Sequence, residues 1–153
     1  MTATLTQEQA VLTIDVRKDE LINAPIEIVW ESILAELGPE SEMPGGKPFP
    51  FTLEAWPGGR WFRDLGNNTG HLWGHVQVIK PPTVLEITGQ LPMSYAATNH
   101  LQYKLKSEGN DTRLSFRHSG IGLMTPEHRD GMKEGWGHFI TRIRDRAEKS
   151  TKR

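Results

Sequence analysis

The chain has 153 residues, 18 Lys and Arg against 19 Asp and Glu, a formal net charge of -1 and no cysteine. That length allows one domain with a substantial core, and no composition shift or repeat divides it, so a single domain over residues 1–153 is expected. The charge balance lacks the basic footprint of a nucleic-acid binder, and the missing cysteines exclude disulfides and thiolate metal sites.

Met1 to about Gln9 is polar and is expected to fray. Glu8, Asp15 and Glu20 interrupt the opening segment, which has no apolar h-region, and no run reaches the ~20 apolar residues of a membrane span. A cytoplasmic protein with no membrane partner is the expectation. Val11 to Glu20 alternates, with Leu12, Ile14 and Val16 on one face and Thr13, Asp15 and Arg17 on the other, which predicts a half-buried strand. Ala24-Pro25 opens a helix, because Pro fits the first helical turn. Val29, Trp30, Ile33, Leu34 and Leu37 keep helical spacing until Gly38-Pro39 stops it.

Glu40 to Pro50 reads as a loop, with room for a short helical turn near Pro39 to Met43. Phe51 to Trp56 and Arg60 to Leu65 are short strands around the tight turn Pro57-Gly58-Gly59. Gly66-Asn67-Asn68-Thr69 is a second turn, rich in residues that accept positive φ. Gly70 to Lys80 is a longer strand, ended by Pro81-Pro82, and Val84 to Gly89 is the next. Gln90 to Ala97 is irregular. Thr98 to Lys106 and Thr112 to Ser119 form a last pair. Thr125-Pro126-Glu127 combines an N-cap hydroxyl, a proline at the first helical position and an acid in the first turn. A long helix to about Glu148 follows, with Met132, Trp136, Phe139, Ile140, Ile143 and Ala147 on one stripe. The late basic residues Arg142, Arg144, Arg146, Lys149, Lys152 and Arg153 read as a solvated face and a frayed tail.

The order strand, helix, six strands, helix places a lone terminal helix against one antiparallel sheet, an α+β architecture. With the segments Ile22-Asn23-Ala24-Pro25-Ile26-Glu27-Ile28-Val29-Trp30, Trp56-Pro57-Gly58-Gly59-Arg60-Trp61, Gly74-His75-Val76-Gln77-Val78-Ile79-Lys80-Pro81-Pro82 and Gly135-Trp136, it resembles the helix-grip superfamily of START, polyketide-cyclase and birch-pollen-allergen proteins. Within that superfamily it resembles the family of the activator of the heat-shock protein 90 ATPase. Asp111-Thr112-Arg113-Leu114-Ser115-Phe116 fits the same likeness. The resemblance implies a curved seven-stranded antiparallel sheet wrapped around the C-terminal helix, one or two short helices after the first strand, and a cavity between sheet and helix. It supplies no shared catalytic set, and no cofactor is expected.

The six histidines invite a metal reading. His71 and His75 lie four apart in a strand, ~13 Å from each other, too far to share one metal at ~2 Å from each. His118 shares a face with Leu114 and Phe116 and should look inward, where an imidazole needs a hydrogen-bond partner. It is either a satisfied inner histidine or a polar anchor for a ligand. Arg63 shares a face with Trp61 and Leu65; turned inward, it needs an acid or an anionic ligand. The facing of that strand, and of the strand carrying His71 to Ile79, stays open.

The five tryptophans Trp30, Trp56, Trp61, Trp73 and Trp136 either fill the core or line a pocket for a flat apolar molecule. Gly131, Gly135 and Gly137 weaken the last helix, and Gly45-Gly46 and Gly58-Gly59 lack the context of phosphate loops. No nucleophile motif appears, so no catalytic residue and no metal ligand is expected. The expected site is Trp136, His118, Phe116, Arg63, Trp61, Met132, Phe139 and Ile140, holding a small hydrophobic or aromatic molecule. A co-chaperone module acting on heat-shock protein 90 is the alternative. A cyclase- or dehydratase-like enzyme, using His118 with Arg63, is the second.

Overall fold

A computed structural model of the chain describes residues 10–151. In chain order these form β1 (Leu12–Ile22), α1 (Ile26–Glu36), β2 (Thr52–Leu53), β3 (Arg60–Gly66), β4 (Thr69–Lys80), β5 (Val84–Gly89), β6 (Ala97–Glu108), β7 (Asp111–Gly122) and α2 (Pro126–Thr151). The strands make a seven-stranded antiparallel sheet in the order β1-β7-β6-β5-β4-β3-β2, curved around α2, which is the helix-grip fold. The segment Met1 to Gln9, expected to fray, lies outside the described residues, as do Lys152 and Arg153.

Strict alternation makes the inner face. Ile14 and Val16 of β1, Leu101, Tyr103 and Leu105 of β6, and Leu114, Phe116 and His118 of β7 are buried, while their sequence neighbours turn to the other side. Burial of side chains of this size contributes roughly 1.5–3 kcal/mol each. The outer face carries ion pairs such as Asp15–Arg117 at 3.0 Å and Asp19–Arg113 at 2.8 Å. These are exposed and contribute little, but they line up the edge strand β1 on β7.

β4 breaks its alternation twice. Trp61 pairs with Gly74 and Phe62 with Leu72, so Trp73 is an extra residue, and its indole packs onto the core. Val76 pairs with Ile87 and Val78 with Glu86, so Gln77 is a second extra residue. Gly74 and Val76 face in before that bulge, and Ile79, opposite Leu85, packs inward after it. Bulges of this kind add twist and bend a sheet. The turn between β2 and β3 needs its glycines: Gly58 has φ +82, and a Cβ on Gly59 would sit 1.8 Å from the carbonyl oxygen of Glu54.

Pro25 stands just outside α1, extended at φ -62 and ψ 153, where the reading from sequence places a proline in the first turn. Its carbonyl accepts the amides of Ile28 and Val29. The helical turn expected near Pro39 to Met43 is a non-helical turn followed by an isolated bridge between Glu42 and Pro48.

The solvated basic face expected on α2 is also different. Arg142 and Arg146 converge on Glu36, the last residue of α1, which is 1 % exposed. Glu36 accepts from Arg142 Nε at 2.7 Å and Nη2 at 3.2 Å, and from Arg146 Nε at 2.6 Å. A carboxylate at a helix C-terminus opposes the helix dipole, and α1 has no basic residue in its last turn. The two guanidinium groups supply the missing positive charge from the neighbouring helix and clamp α1 to α2.

Candidate functional site

A buried polar chain crosses the grip from the helix into the sheet. Trp136 on α2 donates its indole N–H to His118 Nδ1 at 2.8 Å. His118 Nε2 meets Asn99 Oδ1 on β6 at 2.7 Å. The Asn99 amide nitrogen in turn donates to the carbonyls of Gly89 at 3.2 Å and Gln90 at 3.4 Å. Those two carbonyls fix the orientation of the Asn99 amide, so its oxygen faces the histidine and Nε2 must carry the proton. Nδ1 then holds only a lone pair, which the indole N–H occupies. His118 is therefore a neutral imidazole with both nitrogens engaged, and burial lowers its pKa to about 4.

Around this chain lies one aromatic cluster. The Phe116 ring is 4.8 Å from Trp136 and 4.9 Å from Tyr103, and Phe139 is 5.5 Å from Trp136. Tyr103, opposite Phe116 in the β6–β7 register, is fully buried, and its hydroxyl has no hydrogen-bond partner among the described residues. Burial pushes its phenol far above the usual range, so the hydroxyl is neutral and keeps its proton.

A second aromatic cluster sits over β3 and β4. Trp61 stacks on Phe51 at 4.9 Å, and Trp73 meets both edge-on at 5.2 and 4.7 Å. The Trp61 indole donates to the Leu37 carbonyl at 2.7 Å, tying this cluster to the end of α1. Arg63 caps it: the guanidinium lies 3.6 Å from the centre of the Phe49 ring, and Nε donates to the Pro50 carbonyl at 3.3 Å. This is a cation–π contact, in which an aromatic face takes the place of an acid.

The expected site residues thus divide. Trp136, His118, Phe116, Phe139, Ile140 and Met132 lie on or beside the α2–β7 contact, with Met132 and Phe139 only partly buried. Trp61 and Arg63 belong to the second cluster. His118 and Arg63 make no shared contact, and neither nitrogen of His118 is free to move a proton, so this pair has no acid–base geometry. Trp30 is core, and Trp56 is exposed. Reasoning from sequence missed Asn99 and Tyr103. The alternation Asn99, Leu101, Tyr103, Leu105 was the available signal.

A groove of about 550 Å³ lies away from this interior, lined by Glu36, Arg142, Asp145, Arg146, Lys149 and Ser150. It is the outer mouth of the clamp in which Glu36 pairs with Arg142 and Arg146. Among the described residues no helix is long and apolar enough to cross a membrane.

Comparison with known proteins agrees with this architecture. Among solved structures, a putative uncharacterized protein from Rhizobium leguminosarum superposes with a TM-score of 0.68 at 14% identity, covering 92% of this chain and 97% of that one. The Bacillus halodurans protein BH1534 gives 0.63 at 21% identity, over 88% and 96%. CalU16 from Micromonospora echinospora gives 0.57 at 18% identity, over 89% and 83%. At these identities the likeness speaks for the fold alone. No curated protein matches the chain. The family model described as activator of Hsp90 ATPase homolog 1-like protein matches residues 23–148, from just after β1 into the last turn of α2. With the curved sheet, the helix in its grip and a match that covers β2 to β7 and most of α2, the chain belongs to the family of activator of Hsp90 ATPase homolog 1-like proteins.

Proposed function

We propose that the chain binds a small, largely aromatic molecule between the inner face of the sheet and the Met132–Ala147 stripe of α2, with Tyr103 as the group that orients it. One observation carries this reading: the Tyr103 hydroxyl on the inner face, beside the Phe116 ring, is buried without a hydrogen-bond partner among the described residues. Such a group costs roughly 1–3 kcal/mol, and phenylalanine would fill nearly the same space without that loss. A ligand that brings an acceptor makes the hydroxyl useful. The Phe116 ring, 4.9 Å from that of Tyr103, suits a flat apolar body beside that one polar contact.

The test is a panel of flat aromatic molecules, with and without a carbonyl or ether acceptor, read by thermal unfolding. Binders should raise Tm in step with concentration, because they stabilise only the folded state. Tyr103→Phe should weaken the acceptor-bearing binders by about tenfold, near 1.4 kcal/mol, and leave the others unchanged. A flat Tm across the whole panel contradicts the reading. The family description favours a second one, a module that engages heat-shock protein 90. It predicts a complex in a pull-down and a faster chaperone ATPase, and baseline values in both remove it.

A further inference from the structure

The proposed ligand must carry a hydrogen-bond donor, and the reason lies in what now occupies the centre of the grip. Trp136 is 3 % exposed, its ring 4.8 Å from Phe116 and 5.6 Å from His118. It fills the space between the sheet and the N-terminal half of α2 with a flat, apolar body bearing one N–H. That N–H meets an atom that can only accept, because Asn99 holds the other nitrogen of His118 in its protonated form. Any molecule taking this place without a donor leaves His118 Nδ1 buried and unpaired, and such loss is how polar sites reject analogues.

Few buried residues hold the N-terminal half of α2 to the sheet. In α2 the buried residues are Trp136, Ile140, Ile143 and Ala147, so none precedes Trp136. Gly135 and Gly137 flank it, with Gly131 one turn earlier, and a Cβ on Gly131 or Gly135 would meet open space. Neither glycine is therefore required by a close approach to the sheet. Each lowers the helical propensity of this half of α2, whose other ties are the Tyr95–His128 contact and the partly buried Met132.

We propose that Trp136 occupies the site as an internal stand-in for the ligand, and that the ligand is a planar aromatic molecule whose N–H or O–H replaces the indole on His118 Nδ1 while an acceptor on it takes the Tyr103 hydroxyl. This rests on the reading given under Proposed function. Binding then exchanges one aromatic donor for another, and α2 reports it by releasing Trp136.

Indole and benzofuran test it, being nearly the same shape with N–H in one and an oxygen lone pair in the other. In Trp136→Ala, indole should raise Tm and bind at least tenfold more tightly than benzofuran. Adding His118→Phe to that variant should abolish the difference. Equal binding of the two probes to Trp136→Ala overturns the donor requirement and leaves the binding reading standing. No binding of either probe there, with a flat panel on the wild-type protein, ends both. Should Trp136→Ala not fold, the wild-type protein decides by NMR, with the Trp136 indole N–H assigned through Trp136→Phe. Saturating 2-naphthol should shift that resonance and speed its exchange with solvent, whereas 2-methoxynaphthalene should bind more weakly. An unmoved resonance at saturation overturns the displacement of Trp136.

Discussion

Glu36→Gln is expected to destabilise the protein by about 2–4 kcal/mol in urea unfolding. The carboxylate is 1 % exposed and receives three hydrogen bonds from Arg142 and Arg146. Removing one partner of a buried ion pair leaves the other charge uncompensated, a loss of roughly 3–5 kcal/mol where both groups are fully buried. The discount has two sources. The arginine side chains are 24 % and 31 % exposed, and Arg142 keeps Glu42 at 3.1 Å. The complementary result is a triple variant, Glu36→Met with Arg142→Met and Arg146→Leu, within about 1 kcal/mol of wild type, since an apolar trio of similar volume needs no compensation. A loss near zero for Glu36→Gln alone would mean that the clamp is solvated and does not hold α1 to α2.

Lowering the pH from 6.5 to 4 is expected to remove about 3 kcal/mol of stability through His118 alone. Burial lowers its pKa from 6.5 to about 4. In the unfolded chain the imidazole takes up a proton as pH falls through 6.5, while in the folded protein it does so only near 4. The unfolded state therefore binds more protons throughout that window, and stability drops as the pH falls. Above 6.5 the contribution is fully present; below about 4 both states are protonated and the slope vanishes. A native proton would have to enter at Nδ1, the atom that already accepts the Trp136 N–H. Glu54, whose pKa Arg60 lowers to about 2, loses its contribution in a more acid window between 4.5 and that value. His118→Gln should flatten the curve between pH 6.5 and 4 and leave the Glu54 region unchanged. An equal slope in wild type and variant would contradict the neutral, doubly engaged histidine.

Where one period runs unbroken, the chain is legible. Leu12, Ile14 and Val16 of β1 turn inward as their alternation requires, and Trp136, Ile140, Ile143 and Ala147 keep the buried stripe of α2. Asn67 and Asn68, at φ 54 and 58, make the positive-φ turn that their residue types predict. Legibility stops where a residue's surroundings come from far along the chain. The facing of β4 stayed open because the extra residues Trp73 and Gln77 each reverse the alternation, and a bulge of one residue leaves no mark in composition. Arg142 and Arg146 read as surface because their partner, Glu36, lies more than a hundred positions away. For His118 the inward face was readable, but the choice between a satisfied histidine and an anchor depended on Asn99 and Trp136 from two other elements. Tyr103 could be placed inside by its alternation with Leu101 and Leu105; that its hydroxyl lacks a partner is a property of the packed interior alone.

Urea unfolding of Tyr103→Phe without any ligand reads the state of the hydroxyl itself. If the hydroxyl is held in the grip for a ligand's acceptor, deleting it should leave the unliganded protein more stable than wild type by about 1 kcal/mol in urea unfolding, because an unsatisfied buried group is lost for one small oxygen's worth of space. A variant less stable than wild type by that amount would mean that the folded protein already satisfies the hydroxyl, and would contradict the account.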